Sequence, residues 1–183
     1  MKYTRAQIKW LYTVASLLLP IVLKKKMTEV SINEDQIYQA EQRAIEMGAI
    51  KHSITKGAGN LAGFVGELLV LDNIGGLLCD TYDYDIIYKE DTRADVKTKR
   101  TSVKPLPYYE CSIAEYNTHQ DCDEYIFVRV LNDMSKGWLL GWIPKDEYFA
   151  KCSFKKKGEL DPRNNYTVRA DCFNLPISEL RSF

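Results

Sequence analysis

The chain has 183 residues, 45% of them hydrophobic, and its 25 basic residues balance 25 acidic residues. This length allows one domain with a hydrophobic core and is too short for two comfortable ones. The zero net charge excludes nucleic-acid binding by overall charge, so any nucleic acid must be bound by a local basic patch or through metal ions. With two histidines and five cysteines but no CxxC pair, a zinc centre and a disulfide framework are disfavoured, and reduced thiols in a cytoplasm are expected.

The first 26 residues differ in composition from the rest, because they hold six Lys or Arg and no acid. Their apolar stretch, residues 10–23, is shorter than the roughly 20 residues that span a bilayer. The three lysines that follow do not resemble a signal-peptide cleavage site. Two interpretations stay open: an amphipathic anchor, and a translation start at Met27, where the upstream lysine codons would resemble a ribosome-binding site. We expect an uncertain extension over residues 1–26 and a single domain over residues 27–183.

Two helices are predicted before any strand. Ser31 and Glu34 match a capping box, which predicts a helix that ends near Met47. Asn60 is a suitable cap for a second helix over residues 61–72. The apolar residues of this second helix cover most of its circumference, which indicates a central, buried position.

Strands are predicted for most of the remaining chain, with one short helix over Lys145–Lys151. The predicted strands, from alternating or continuous apolar patterns, cover residues 82–88, 93–100, 108–113, 125–131, 138–143 and 166–169. Two helices followed by a hairpin and further strands predict an α/β or α+β domain with a central mixed β-sheet flanked by helices.

The predicted hairpin brings together acidic side chains that point to metal chemistry. Asp95 and Lys97 are two residues apart in a strand and therefore share a face. A turn centred near Glu90 places Asp85 opposite Asp95, with Cβ atoms about 5 Å apart. Two carboxylates this close repel one another unless one is protonated or a cation lies between them. A hard divalent cation such as Mg²⁺ relieves that repulsion.

Lys97 and Glu67 extend this set. A lysine beside a bound metal can orient or help deprotonate an attacking water and can bind a phosphate. Glu67 is a charged residue inside the nearly all-apolar run of the second helix. Burying it without a partner would be costly, so it is expected to face a partner or an edge. A role as a third metal ligand, direct or through water, would explain its position. Gly63 and Gly66 precede it and are expected to permit close packing of the helix on the sheet.

The ordered set resembles the PD-(D/E)XK nuclease superfamily over residues 55–145. The segments that carry the resemblance are Gly63-Phe64-Val65-Gly66-Glu67, Tyr84-Asp85-Ile86 and Ala94-Asp95-Val96-Lys97. The resemblance implies a restriction-endonuclease-like core: a helix, strands with the acids on the second and third, a second helix and another strand. The sequence departs from the family pattern because no proline precedes Asp85, and Asp83 competes with Asp85 as the metal-binding acid.

The resemblance also implies an activity and a set of roles. It implies a Mg²⁺-dependent deoxyribonuclease, in which Mn²⁺ can substitute, and favours an endonuclease. The implied catalytic residues are Glu67, Asp85, Asp95 and Lys97. The implied metal ligands are Asp85, Asp95, Glu67 and the backbone carbonyl of Val96. A homodimer that cuts both strands and an origin in a phage or mobile element are compatible with this interpretation.

The segment around Lys97 is basic. Arg93, Lys99, Arg100 and Lys104 are predicted to contact nucleic-acid phosphates, with Lys99 foremost because it shares a face with Lys97. The alternative is a solvated edge strand, on which lysines discourage aggregation.

Simpler interpretations of the same residues stay open. Asp85, Asp95 and Lys97 can be exposed strand residues that form a surface ion pair, and Glu67 can be an exposed helix residue. At the level of function, the alternatives are a catalytically inactive nucleic-acid-binding or partner-binding protein of the same fold, and a membrane-anchored interaction protein that uses residues 10–23. His119 and Gln120 precede a strand and can point toward the site.

Overall fold

Two α-helices in the N-terminal part of the described chain pack against each other. The computed structural model of the chain describes residues 27–47, 60–79, 81–161 and 166–183. Helix α1 covers Glu34–Met47 and helix α2 covers Asn60–Ile74. The predicted helices are confirmed, and every residue from Phe64 to Val70 of α2 is buried, as its apolar circumference requires. The predicted N-terminal extension lies outside the described residues.

The start of α1 differs from the predicted one. Ser31 is the last residue of strand β1, Thr28–Ser31, and pairs with Lys136. The capping box is formed two residues later: Asn33 Oδ1 accepts from the backbone N of Gln36 at 2.8 Å, and Gln36 Oε1 accepts from the backbone N of Asn33 at 3.0 Å. The predicted cap was wrong because long-range strand pairing takes Ser31.

A curled, six-stranded mixed sheet forms the centre of the molecule, in the order β1-β7-β6-β4-β3-β2. Its further strands are β2 (Leu77–Leu78), β3 (Ile86–Tyr88), β4 (Thr92–Thr101), β6 (Glu124–Leu131) and β7 (Lys136–Pro144). Strands β4 and β6 are parallel, and the other neighbours are antiparallel. The predicted α+β class with a mixed sheet is therefore confirmed.

The connection between the two parallel strands is unusual. Residues 102–123, all described, contain strand β5 (Glu110–Ala114) and a 3₁₀ turn (Glu115–Asn117) but no α-helix. The core that the family resemblance implies has a helix at this point. Parallel strands need a long crossover, and here that crossover is built from a strand of another sheet.

That second sheet has the order β5-β11-β8, with β8 at Ser153–Lys155 and β11 at Cys172–Pro176. Helix α3, Lys145–Lys151, was predicted and contributes the buried Tyr148. Two hydrophobic clusters result: one lies between the central sheet and α2, and the other between the central sheet, α3 and the second sheet. The short strands β9 (Leu160–Asp161) and β10 (Tyr166–Thr167) form a separate pair.

Some predicted strands are shorter in the structure. The segment predicted as a strand over residues 82–88 is a strand only at Ile86–Tyr88, and the predicted last strand, residues 166–169, is reduced to two residues. Thr81 explains the first difference, because its hydroxyl binds the backbone N and O of Tyr84 and closes a turn. Within the described ranges, no helix has both the length and the apolar character to cross a membrane.

Candidate active site

Asp85 and Asp95 lie side by side where β3 and β4 meet. Ile86 pairs with Ala94, so Asp85, one residue earlier, faces Asp95, one residue later. The backbone N of Asp85 donates to the backbone O of Ala94 at 3.0 Å. The side-chain Oδ2 of Asp85 accepts from the backbone N of Val96 at 2.7 Å. The register therefore brings the two acids together as the hairpin spacing predicts.

Burial makes this acidic pair electrostatically demanding. Asp95 is only 2% exposed. The pKa of Asp85 is well above its ordinary value, first because burial disfavours the charged carboxylate and then because of the negative charges of Asp95 and Glu67; the Val96 amide opposes the rise. None of Asp85, Asp95 and Lys97 is an exposed strand residue, so that part of the alternative interpretation is wrong, although Asp95 and Lys97 do form an ion pair.

Lys97 is fixed beside the pair. Its Nζ lies 2.5 Å from Asp95 Oδ2 and donates to Gln120 Oε1 at 2.9 Å. Only 18% of the Lys97 side chain is exposed. The amide of Gln120 is itself oriented, since its Nε2 donates to the backbone O of Tyr82 at 2.7 Å. Gln120 was named only as a neighbour that can point toward the site; its place just before β6 was the one sequence signal for its role.

Glu67 approaches from α2 and is 7% exposed, so its interpretation as an exposed helix residue is wrong. Its Oε2 forms an ion pair with Arg43 Nη1 of α1 at 2.8 Å, and the Arg43 guanidinium lies 4.3 Å from the centre of the Phe64 ring. The predicted partner of Glu67 is thus an arginine. Its negative charge still reaches the acidic pair, because it raises the pKa of Asp85.

Gly66 permits the close approach of α2 to strand β4. A Cβ placed on Gly66 would lie 1.9 Å from Thr98 Oγ1 on β4, whereas one on Gly63 would meet no atom within 4 Å. The expected close packing therefore depends on Gly66 and not on Gly63. Because Gly66 directly precedes Glu67, this contact also determines how near the helix acid lies to the hairpin.

The carboxylate of Asp83 has a hydrogen-bond partner outside the acidic pair. Residues 81–85 do not form a regular strand, and Asp83 Oδ1 accepts from the backbone N of Asp121 at 3.1 Å. Its carboxylate is therefore used in positioning the segment that carries Gln120.

The predicted phosphate-contacting residues are dispersed. Arg93 is bound by two acids, with Nη1 2.7 Å from Asp121 Oδ2 and Nη2 2.9 Å from Asp123 Oδ1. Lys104 Nζ lies 3.8 Å from Glu29 Oε2. Lys99 and Arg100 are exposed on opposite faces of β4, and Lys99 shares the face of Lys97. Of the four, Lys99 alone lies beside Lys97 on that face.

The carboxylates of this site fit Mg²⁺ only if water molecules supply the remaining ligands of the ion. Across the described ranges, no group of three Asp, Glu, His or Cys side chains is arranged to hold a metal ion. Asp85 and Asp95 supply two hard carboxylate groups, and protein-bound Mg²⁺ commonly uses one or two carboxylates and several waters. A cation between them would remove the repulsion that raises the Asp85 pKa. Glu67, paired with Arg43, is placed to act at longer range.

No protein-family model matches the chain, and a search of curated proteins finds no significant match.

Proposed function

We propose that this chain is a Mg²⁺-dependent nuclease that hydrolyses phosphodiester bonds of DNA as an endonuclease. The observation that carries the proposal is the adjacent pair formed by the half-buried Asp85 and the buried Asp95, with Lys97 fixed beside it. A structural ion pair does not need two adjacent carboxylates, whereas a divalent cation between them would offset their mutual repulsion.

In the proposed reaction, Asp85 and Asp95 would hold Mg²⁺, with the carbonyl of Val96 as a further donor. When bound, the metal would neutralise charge on the phosphate and lower the pKa of a water. Lys97 orients the attacking water and donates to a nonbridging phosphate oxygen. Gln120 keeps the Lys97 ammonium directed at that position, and Glu67 adds negative charge that favours the cation.

The arrangement of elements supports a restriction-endonuclease-like core. Helix α2 precedes the strands, the acids lie on a hairpin, and β4 continues to a parallel neighbour, β6. The absence of an α-helix from residues 102–123 is the departure from that core. A cytoplasmic location belongs to the same proposal and is supported by five cysteines without a disulfide.

A second candidate function is a catalytically inactive nucleic-acid-binding protein of the same fold. The observation that favours it is the ion pair between Arg43 and Glu67, which neutralises the helix acid without a metal. This candidate predicts DNA binding with no metal-dependent cleavage.

The test is cleavage of supercoiled plasmid, linear duplex and single-stranded oligonucleotides by the purified full chain in Mg²⁺, Mn²⁺ or EDTA. Asp95→Asn and Lys97→Ala are expected to reduce cleavage by about 10²–10⁴-fold. Asp91→Asn is the matched control, because Asp91 is an exposed acid in the turn of the same hairpin. Circular dichroism should show that all variants remain folded.

Cleavage that requires the metal and is lost in the two site variants supports the nuclease. Binding of DNA without cleavage of any form favours the second candidate. Failure of the wild-type chain to bind Mg²⁺ or Mn²⁺ by calorimetry would overturn the metal site.

A further inference from the structure

A pocket with both charged and apolar lining adjoins the candidate active site. A small pocket opens between β4, β5 and β6, and its lining includes Lys97, Lys99, Glu110, Cys111, Ser112 and Arg129. Lys97 is therefore shared: it forms an ion pair with Asp95 and also lines this pocket. A ligand in this pocket would therefore contact Lys97, next to the proposed metal-binding pair Asp85 and Asp95.

The parallel pairing of β4 with β6 brings two cationic residues together. Lys99 pairs with Arg129 in the register, one step beyond the pair formed by Lys97 and Phe127. Neighbouring strands are about 4.8 Å apart, and residues two apart on a strand point to the same face. Lys99 and Arg129 thus stand side by side, about two residues along the strand from Lys97.

Arg129 has no anionic partner in the described part of the chain. It is 7% exposed, its Nη2 donates to the backbone O of Glu110 at 2.8 Å, and its guanidinium lies 5.9 Å from the centre of the Tyr109 ring. A guanidinium has five N–H donors, so this one hydrogen bond leaves most of them available. Burial lowers the pKa of Arg129, which reflects a charge held in a poorly solvated place.

The acid in the lining is already neutralised. Lys155 Nζ donates to both carboxylate oxygens of Glu110, at 3.0 and 2.9 Å. Among the described residues, Glu110 is the one acid of the lining, so no acid there balances the positive charge of Arg129, which stands next to Lys99. The pKa of Lys99 is lowered first by desolvation and then by the charge of Arg129. An anion bound between Lys99 and Arg129 would stabilise both positive charges.

We propose that this pocket binds the phosphate that neighbours the hydrolysed one on the same DNA strand. The inference rests on the proposed nuclease function and extends it with a subsite for the substrate backbone. Arg129 supplies a fork of donors to two phosphate oxygens, and Lys99 supplies a second charge from the rim. The Ser112 hydroxyl donates to Asn174 Oδ1 at 2.6 Å and so contributes an oriented polar wall.

The test measures binding in EDTA, so that it does not depend on cleavage. Fluorescence anisotropy with labelled single-stranded and duplex DNA, over a salt series, compares wild type with Lys99→Gln, Arg129→Gln and Arg129→Lys. Lys151→Gln is the control, because Lys151 is an exposed lysine on α3 that does not line the pocket. Thermal unfolding checks that each variant is folded; Lys99 is exposed, so its variant keeps the test valid if Arg129→Gln does not fold.

Each Gln variant is expected to weaken binding about tenfold. Each should also lower the slope of log affinity against log salt by about 0.7 on single strands or 0.9 on duplex. Arg129→Lys should keep the slope and lose affinity, because the charge remains and the fork is lost. Slopes and affinities that match those of Lys151→Gln would overturn the proposal, as would a wild-type chain that binds no DNA.

Two further results separate the possibilities. Inorganic phosphate that displaces the oligonucleotide at submillimolar concentration, with ionic strength held constant by chloride, would overturn the strand-phosphate assignment and show a free-phosphate site. Cleavage in Mg²⁺ is measured in parallel. If the wild type never cleaves DNA but the Gln variants bind it more weakly, the phosphate subsite is supported and the proposed nuclease function is overturned. Normal binding by those variants of an active nuclease would overturn only the subsite.

Discussion

Gly66→Ala should destabilise the protein by forcing α2 away from β4. The added Cβ would lie 1.9 Å from Thr98 Oγ1, 2.9 Å from its Cβ and 3.0 Å from its Cγ2. Normal contacts between such atoms are about 3.5–4 Å, so helix and strand must separate. Overpacking a core costs about 1–3 kcal/mol, and this overlap belongs at the upper end. The better helix propensity of alanine offsets at most about 1 kcal/mol of this cost. The free energy of unfolding should therefore fall by about 2 kcal/mol.

Gly63→Ala is the matched control on the same helix. No atom lies within 4 Å of its added Cβ, so propensity alone should stabilise it by about 0.5–1 kcal/mol. The free energy of unfolding would be measured by urea titration, with tryptophan fluorescence as the signal. The expected difference between the two variants is about 3 kcal/mol.

A second substitution tests the cause. Thr98→Ala removes the two side-chain atoms Oγ1 and Cγ2 and leaves only the Cβ approach of 2.9 Å. Among the described residues, the Thr98 hydroxyl has no hydrogen-bond partner, so its loss is inexpensive. Thr98→Ala should therefore restore about half of the stability lost in Gly66→Ala. A Gly66→Ala variant as stable as wild type, or an absence of rescue by Thr98→Ala, would refute a steric conflict between α2 and β4.

Three further substitutions test other contacts. Arg43→Met should cost about 3 kcal/mol in urea unfolding, because it breaks a buried ion pair with Glu67; no loss would show that the pair is unimportant. Arg93 lowers the pKa of Asp123, and the stability that this contributes is lost as pH falls through the lowered pKa. Arg93→Gln should therefore make Tm fall less steeply below about pH 4. A Tm that falls with pH as steeply as in wild type would contradict this. Tyr148→Phe should cost about 1–2 kcal/mol by calorimetry, because its hydroxyl binds two backbone carbonyls at 3.0 and 2.8 Å; a neutral result would contradict that role.

The pairing of Asp85 with Asp95 was predictable because it depends on local rules. Strand alternation places Asp95 and Lys97 on one face, and a short turn fixes which residue stands opposite. Ile86 pairs with Ala94 in the structure, and this register follows from the hairpin spacing alone. The burial of Glu67 followed in the same way from its apolar neighbours on α2.

Contacts between distant segments were not predictable. Arg43 is 24 residues from Glu67, and nothing in the α1 pattern marks it as the partner of that acid. The strand β11 has no clear alternation, and its place between β5 and β8 is set by pairing across the second sheet. Ser31 was assigned to a cap because its local pattern fits one, whereas pairing with Lys136 draws it into a strand. In each case tertiary contacts override a local preference.

The edge strand β1 also has a consequence for synthesis. Its partner is β7, and the ion pair of Lys136 with Glu29 joins residues 107 positions apart. At about 5–20 residues per second, roughly 5–20 s pass between the emergence of the two strands from the ribosome. Throughout that interval the backbone donors and acceptors of β1 lack their native partners, so the sheet can be completed at this edge only after most of the chain has been translated.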